Sequence, residues 1–214
     1  MIVVGDAIAA GTSVTIPPHQ VGDIIILSAR RASASLPTKP TASGSVPNWV
    51  VMQQGGNTSV SMYMCYFVAT RPDHTGGVWT NADYVSVIVL RGESLRVAHF
   101  PAGVQGAGYG MQYYAPASSS QYLTYAGITL PPKYERLFGV RIGTRSTANI
   151  AVGTAPAGWT RRHLAPDPTA LIALHTRADI VANEVDAAID CAAAAYYRAF
   201  TILVHESRGN IRVT

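Results

Sequence analysis

The chain has 214 residues, of which 48% are hydrophobic and only 13% charged. The apolar share excludes a disordered chain, and no uncharged apolar run approaches the roughly 18 residues of a membrane-spanning helix. The 16 Lys+Arg against 12 Asp+Glu leave a net charge of +4, and the cations are scattered, whereas a nucleic-acid binder gathers them on a stripe.

The cations are nearly all arginine, whose planar, weakly hydrated head suits protein interfaces. Met1-Ile2-Val3-Val4-Gly5-Asp6 lacks the basic n-region and long apolar run of a signal peptide, so none is expected. Next comes Ser13-Val14-Thr15-Ile16-Pro17-Pro18, expected as a strand. The turn pair Gly22-Asp23 then leads into Ile24-Ile25-Ile26-Leu27-Ser28-Ala29, a short buried strand. Residues 59–69 and 84–90 are rich in β-formers and read as further strands.

Four motifs then recur in the same order. Ser13 to Pro18 is matched by Gly127-Ile128-Thr129-Leu130-Pro131-Pro132, and Pro47-Asn48-Trp49-Val50 by Ala157-Gly158-Trp159-Thr160. Ala69-Thr70-Arg71-Pro72-Asp73 is matched by His175-Thr176-Arg177-Ala178-Asp179, and Val87-Ile88-Val89-Leu90 by Thr201-Ile202-Leu203-Val204. The offsets are 114, 110, 106 and 114, the drift expected of loop changes between fixed strands. An internal duplication follows. With strands every 8–15 residues, the expected class is all-β: two tandem, internally duplicated antiparallel β-sandwich domains of jelly-roll type. The first repeat is placed at 1–100, a Gly-rich linker at 101–111, and the second repeat at 112–214. The stretch Asp186 to Arg198 resists this reading, since its alanines favour helix. Its counterpart runs straight into a strand, so strand is expected from about Ala193, with a helical turn possible before it.

Chemistry is sparse. The six histidines form no HExxH pair, the two cysteines no CxxC, and there is no GxSxG nucleophile elbow. Cys65 and Cys191 read as small buried apolar residues. The acidic segment around Glu184 and Asp186 lacks the spacing of a calcium loop. A non-enzymatic protein without metal or cofactor is therefore expected. Tyrosine is the commonest aromatic, and Tyr109, Tyr113, Tyr114, Tyr122 and Tyr125 fall in an uncharged stretch interleaved with Gly, Ser and Gln. Those are residues of adaptable interfaces, and exposed aromatics also stack on sugars. With Trp79 they are the candidate interface or glycan contacts. A glycan site would pair such rings with a carboxylate such as Asp73 or Asp83.

The series Thr15 to Pro18, Val21 to Leu27, Trp49 and Val87 to Gly92 resembles small β-sandwich modules in structural proteins of tailed bacteriophages. It is repeated more loosely at Thr129 to Pro132, Ala157 to Trp159 and Thr201 to Val204. The resemblance implies a virion protein, assembled in the bacterial host as a tail or neck appendage or a fibre-associated part. Capsid decoration and host-glycan (receptor) binding are the alternatives. The implied partners are other virion proteins and further copies of the chain.

Overall fold

The computed structural model describes residues 1–98, 111–114, 118–130, 137–146, 153–167 and 170–206. Among them the chain is all-β, with antiparallel sheets and no helix. In chain order come β1 (Ile2–Ala10), β2 (Ile24–Arg31), β3 (Val50–Gly56), β4 (Ser61–Val68), β5 (Tyr84–Arg91) and the short β6 (Leu95–Val97). There follow β7 (Met111–Tyr114), β8 (Ser120–Tyr125), β9 (Leu137–Arg145), β10 (Thr160–Asp167), β11 (Ala170–Ile180), β12 (Ala187–Ala195) and β13 (Tyr197–Glu206).

The first sheet runs β3-β4-β2-β5-β1 and the second β10-β11-β9-β13, ending on β6, with β7 also paired to β13. Strand for strand, the two paths have the same order. They agree in a finer feature as well. β1 carries a register shift between Val3 and Gly5, opposite Leu90 and Val89. In the second sheet β6 pairs Val97 with Val204, and β7 takes up the edge at Met111 opposite Ile202. The interruption of the second edge thus falls where β1 has its bulge.

Three expectations change at this point. The boundary at 101–111 does not separate two pairing units, because β6 lies before it and its ladder partner β13 lies after it; Met111 is already strand, and 101–110 lie outside the described residues. The segment Ser13 to Pro18 is not a strand: Val14 and Ile16 are buried while the backbone pairs with no ladder. Two consecutive prolines remove the donors a ladder needs. Finally, β12 is strand from Ala187, well before Ala193. Alternation buries Ile189 and Cys191 on one face, and that packing overrides alanine's helix propensity.

The central strands β2, β5, β9 and β13 are buried on both faces, so they read as continuous apolar runs rather than alternating ones. One face of each contributes to a shared cluster. Ile24, Ile26, Met64 and Ile88 of the first sheet lie in one apolar core with Phe138, Val140, Phe200 and Ile202 of the second. The far face of the first sheet carries Ile25, Leu27, Val87 and Val89 against Trp49 and Trp79. On the far face of the second, Leu171, Ala173 and Ala199 meet Leu123 and Tyr125 of β8 and Ile189 and Cys191 of β12. Cys65 and Cys191 are buried free thiols.

Candidate binding face on β8

The tyrosine-rich stretch divides by strand alternation. On β8, Leu123 and Tyr125 turn inward and are fully buried, while Tyr122 points outward and is 47% exposed. Tyr125 is therefore a core residue and not a surface contact. Trp79 requires the same correction: it is buried against Tyr63 at 5.4 Å and Trp49 at 6.5 Å, and its indole N–H donates to the Gly76 carbonyl at 3.3 Å. Tyr113 and Tyr114 stand on β7 opposite Phe200 and Ala199. Tyr109 lies outside the described residues. The carboxylates proposed beside Trp79 are occupied elsewhere. Asp73 is paired with Arg71, and Asp83 accepts the Ala32 amide at 2.6 Å and faces Arg30 at 3.7 Å. Trp79 is fully buried and so presents no face to a ligand beside either acid.

Tyr122 borders a recess of about 460 Å³, walled by Ser118, Ser119, Ser120 and Thr124, with Ala188 and the buried Tyr197 completing it. Among the described residues that line it, no side chain is charged. The recess is bounded by an irregularity in the β8–β12 ladder, which pairs Asp190 with Tyr122 and next pairs Ala195 with Ser120. The extra residues of β12 are accommodated by Ala192 at φ 61, a left-handed conformation unusual for a residue with a Cβ. Asp190 holds that turn by accepting the Ala192 amide at 2.8 Å. This backbone bond, followed by the Gln121 amide, keeps the Asp190 carboxyl below its ordinary pKa.

Beneath the recess lies the fully buried Arg145. Its guanidinium donates to the carbonyls of Ser120, Gln121 and Ala193. A five-donor planar head suits this task, since one side chain satisfies three carbonyls on two strands. The cation fixes the floor and is itself turned away from solvent.

A second buried arginine lies on the same face of β9. Arg141 sits between the Trp159 ring at 4.1 Å and the Tyr125 ring at 5.4 Å. The flanking glycines make this possible. A Cβ on Gly139 would lie 2.5 Å from Trp159, and one on Gly143 would lie 2.7 Å from the Tyr125 hydroxyl. In a strand, positions 139, 141 and 143 share a face, so Gly-x-Arg-x-Gly builds a slot for a guanidinium between two rings. Glu184 completes the cluster, receiving Arg177 at 2.8 Å, the Trp159 N–H at 3.2 Å and Arg141 at 3.5 Å. Burial lowers the Arg141 pKa to about 10, against the pull of Glu184. His175, opposite Arg141 on β11, is lowered to about 4 by burial and then by Arg161 and Arg141. Burial raises the Tyr125 hydroxyl. At neutral pH the cluster thus holds charged Arg141 beside neutral His175 and neutral Tyr125.

Arg141 and its flanking Gly139 and Gly143 were not singled out from the sequence, although the alternating Gly-Val-Arg-Ile-Gly in an apolar strand carries the signal. The acidic segment resolves into structural bonds: Glu184 in this cluster, Asp186 accepting the Gly127 amide at 2.6 Å, and Asp190 at the turn. No family model, curated protein or solved structure matches the chain.

Proposed function

We propose that this protein is a non-enzymatic structural component of a tailed-bacteriophage virion, assembling through protein–protein interfaces as a tail or neck appendage or a fibre-associated part. The observation that carries this reading is the surface. Val21, Val50, Val68, Val78, Val181 and Val185 are all exposed on a chain with 13% charged residues. Single exposed apolar residues are ordinary, but this many with so little surrounding charge suit a molecule that works with neighbours against it. The common strand order of the two sheets supports a duplication whose halves face each other as the layers of one sandwich. Such a rigid body, with both faces of its central strands covered, suits a passive load-bearing part.

Immunogold electron microscopy on particles from the source culture tests the reading. Label confined to the tail or neck is the expected result. Label spread over the head moves the protein to capsid decoration, and particles without label overturn the virion role.

A further inference from the structure

We infer that the recess beside Tyr122 is a binding site for a neutral carbohydrate. This goes beyond the structural role and does not depend on it. The volume, about 460 Å³, falls within the roughly 300–1,000 Å³ of small-ligand sites. Its chemistry selects the ligand class. Ser118, Ser119, Ser120 and Thr124 present hydroxyls that both donate and accept, which matches the dual character of sugar hydroxyls. Tyr122 adds a half-exposed ring, an apolar platform for the C–H face of a pyranose.

Charge is consistent with a neutral ligand. Among the described residues the lining carries no acidic or basic side chain. Asp190, the cross-strand partner of Tyr122, already accepts the Ala192 and Gln121 amides, and the buried Arg145 donates to the Ser120, Gln121 and Ala193 carbonyls. The site is also held in shape before any ligand arrives. Arg145 ties β8 to β12, and the Tyr122 amide donates to the Ser120 hydroxyl oxygen at 3.0 Å, leaving the hydroxyl proton for a ligand. Fixed walls reduce the ordering cost of binding.

The test is amide NMR on the full chain, titrated with maltotriose and with the trimer of N-acetylglucosamine at roughly millimolar concentration. Sialyllactose and inorganic phosphate serve as anionic probes. A neutral trisaccharide is expected to shift the amides of 118–124 in a saturable manner. Tyr122→Ala should weaken that binding by about tenfold and Tyr122→Phe by less than about twofold, since the ring and not its hydroxyl supplies the platform. Thr124→Val, which keeps shape and removes a hydroxyl, should weaken it by about threefold or more. The same spectra report whether each variant keeps its fold. Unshifted 118–124 amides with both neutral trimers would overturn the proposal. So would binding unchanged by both Tyr122→Ala and Thr124→Val, or a preference for the anionic probes.

Discussion

Arg30 of β2 and Thr144 of β9 stand 114 residues apart in sequence and touch: the Arg30 Nε donates to the Thr144 hydroxyl at 3.1 Å. The same separation relates Val87 to Leu90 with Thr201 to Val204. Arg30 also donates to the Arg145 carbonyl at 3.0 Å, and the Glu93 amide contacts Glu206 at 3.3 Å. These contacts tie β2 to β9, and the turn after β5 to the end of β13.

Arg30 is fully buried where β2 meets β9, so its loss leaves the Arg145 carbonyl without this donor and opens a cavity. Arg30→Ala should cost about 2–4 kcal/mol, read as a lower urea midpoint at unchanged slope. Arg30→Lys should fall between, because one ammonium cannot reproduce the guanidinium fork. Arg71→Ala, which removes an exposed pair with Asp73, should leave the midpoint where it was. Equal midpoints for Arg30→Ala and the natural chain would show that the contact adds nothing to stability.

The halves should not fold separately. Fragment 1–98 would expose Ile24, Ile26, Met64 and Ile88 to water, and each belongs to the core shared with the second sheet. Alone, the fragment should aggregate or bind a hydrophobic dye, without a cooperative thermal transition. Soluble, two-state unfolding of 1–98 would mean that the first sheet's other core is sufficient by itself.

Much of the fold was legible because the central strands are unambiguous. Runs such as Ile24 to Leu27 and Val87 to Leu90 are too short for helices and too apolar for an exposed face, and they became β2 and β5. The recurring motifs were also visible in order and spacing. Where their strands lie in space was not: the same motifs are compatible with two separately packed units or with two sheets that share one core. That choice rests on long-range burial of Phe138, Val140 and their partners, which local pattern does not encode. The site shows the same limit. Tyr122 and Tyr125 look alike in sequence, and only strand pairing sends one outward and the other beneath β8. Ile189 and Cys191 sit in an alanine run whose propensity opposes the strand that tertiary packing imposes.

The slot around Arg141 gives a sharp steric prediction. Gly143→Val would drive its side chain into Leu123 and the Tyr125 hydroxyl, whose atoms lie 2.7 Å from the Cβ position. The neighbours are packed and buried, so the cost should be about 2–3 kcal/mol or more. Gly55→Ala, where nothing lies within 4 Å of the added carbon, is the control and should be nearly neutral. Thermal melts of the two variants separate them. A Gly143→Val protein as stable as the natural chain would mean that β8 is free to lift away from β9.

The buried histidine should make stability fall in mild acid. His175 titrates at about 4 in the folded chain and near 6.5 when unfolded. The unfolded state therefore binds the proton more tightly, and stability falls as pH drops below about 6.5, levelling near the folded value. A shift of this size corresponds to about 3 kcal/mol. Asp23 acts in a different window. Burial pushes its carboxyl up, but the Arg91 pair at 2.7 Å and the Gln20 amide outweigh that and hold it below the ordinary value of 3.8. Its contribution is complete above the unfolded pKa and is lost only as pH falls below about 4. Chemical denaturation between pH 7 and pH 4 therefore spans the window of His175 and stays above that of Asp23. The natural chain should lose stability across this range, and His175→Gln should flatten the profile whatever its effect at pH 7. An unaltered slope in His175→Gln would assign the acid sensitivity to another group.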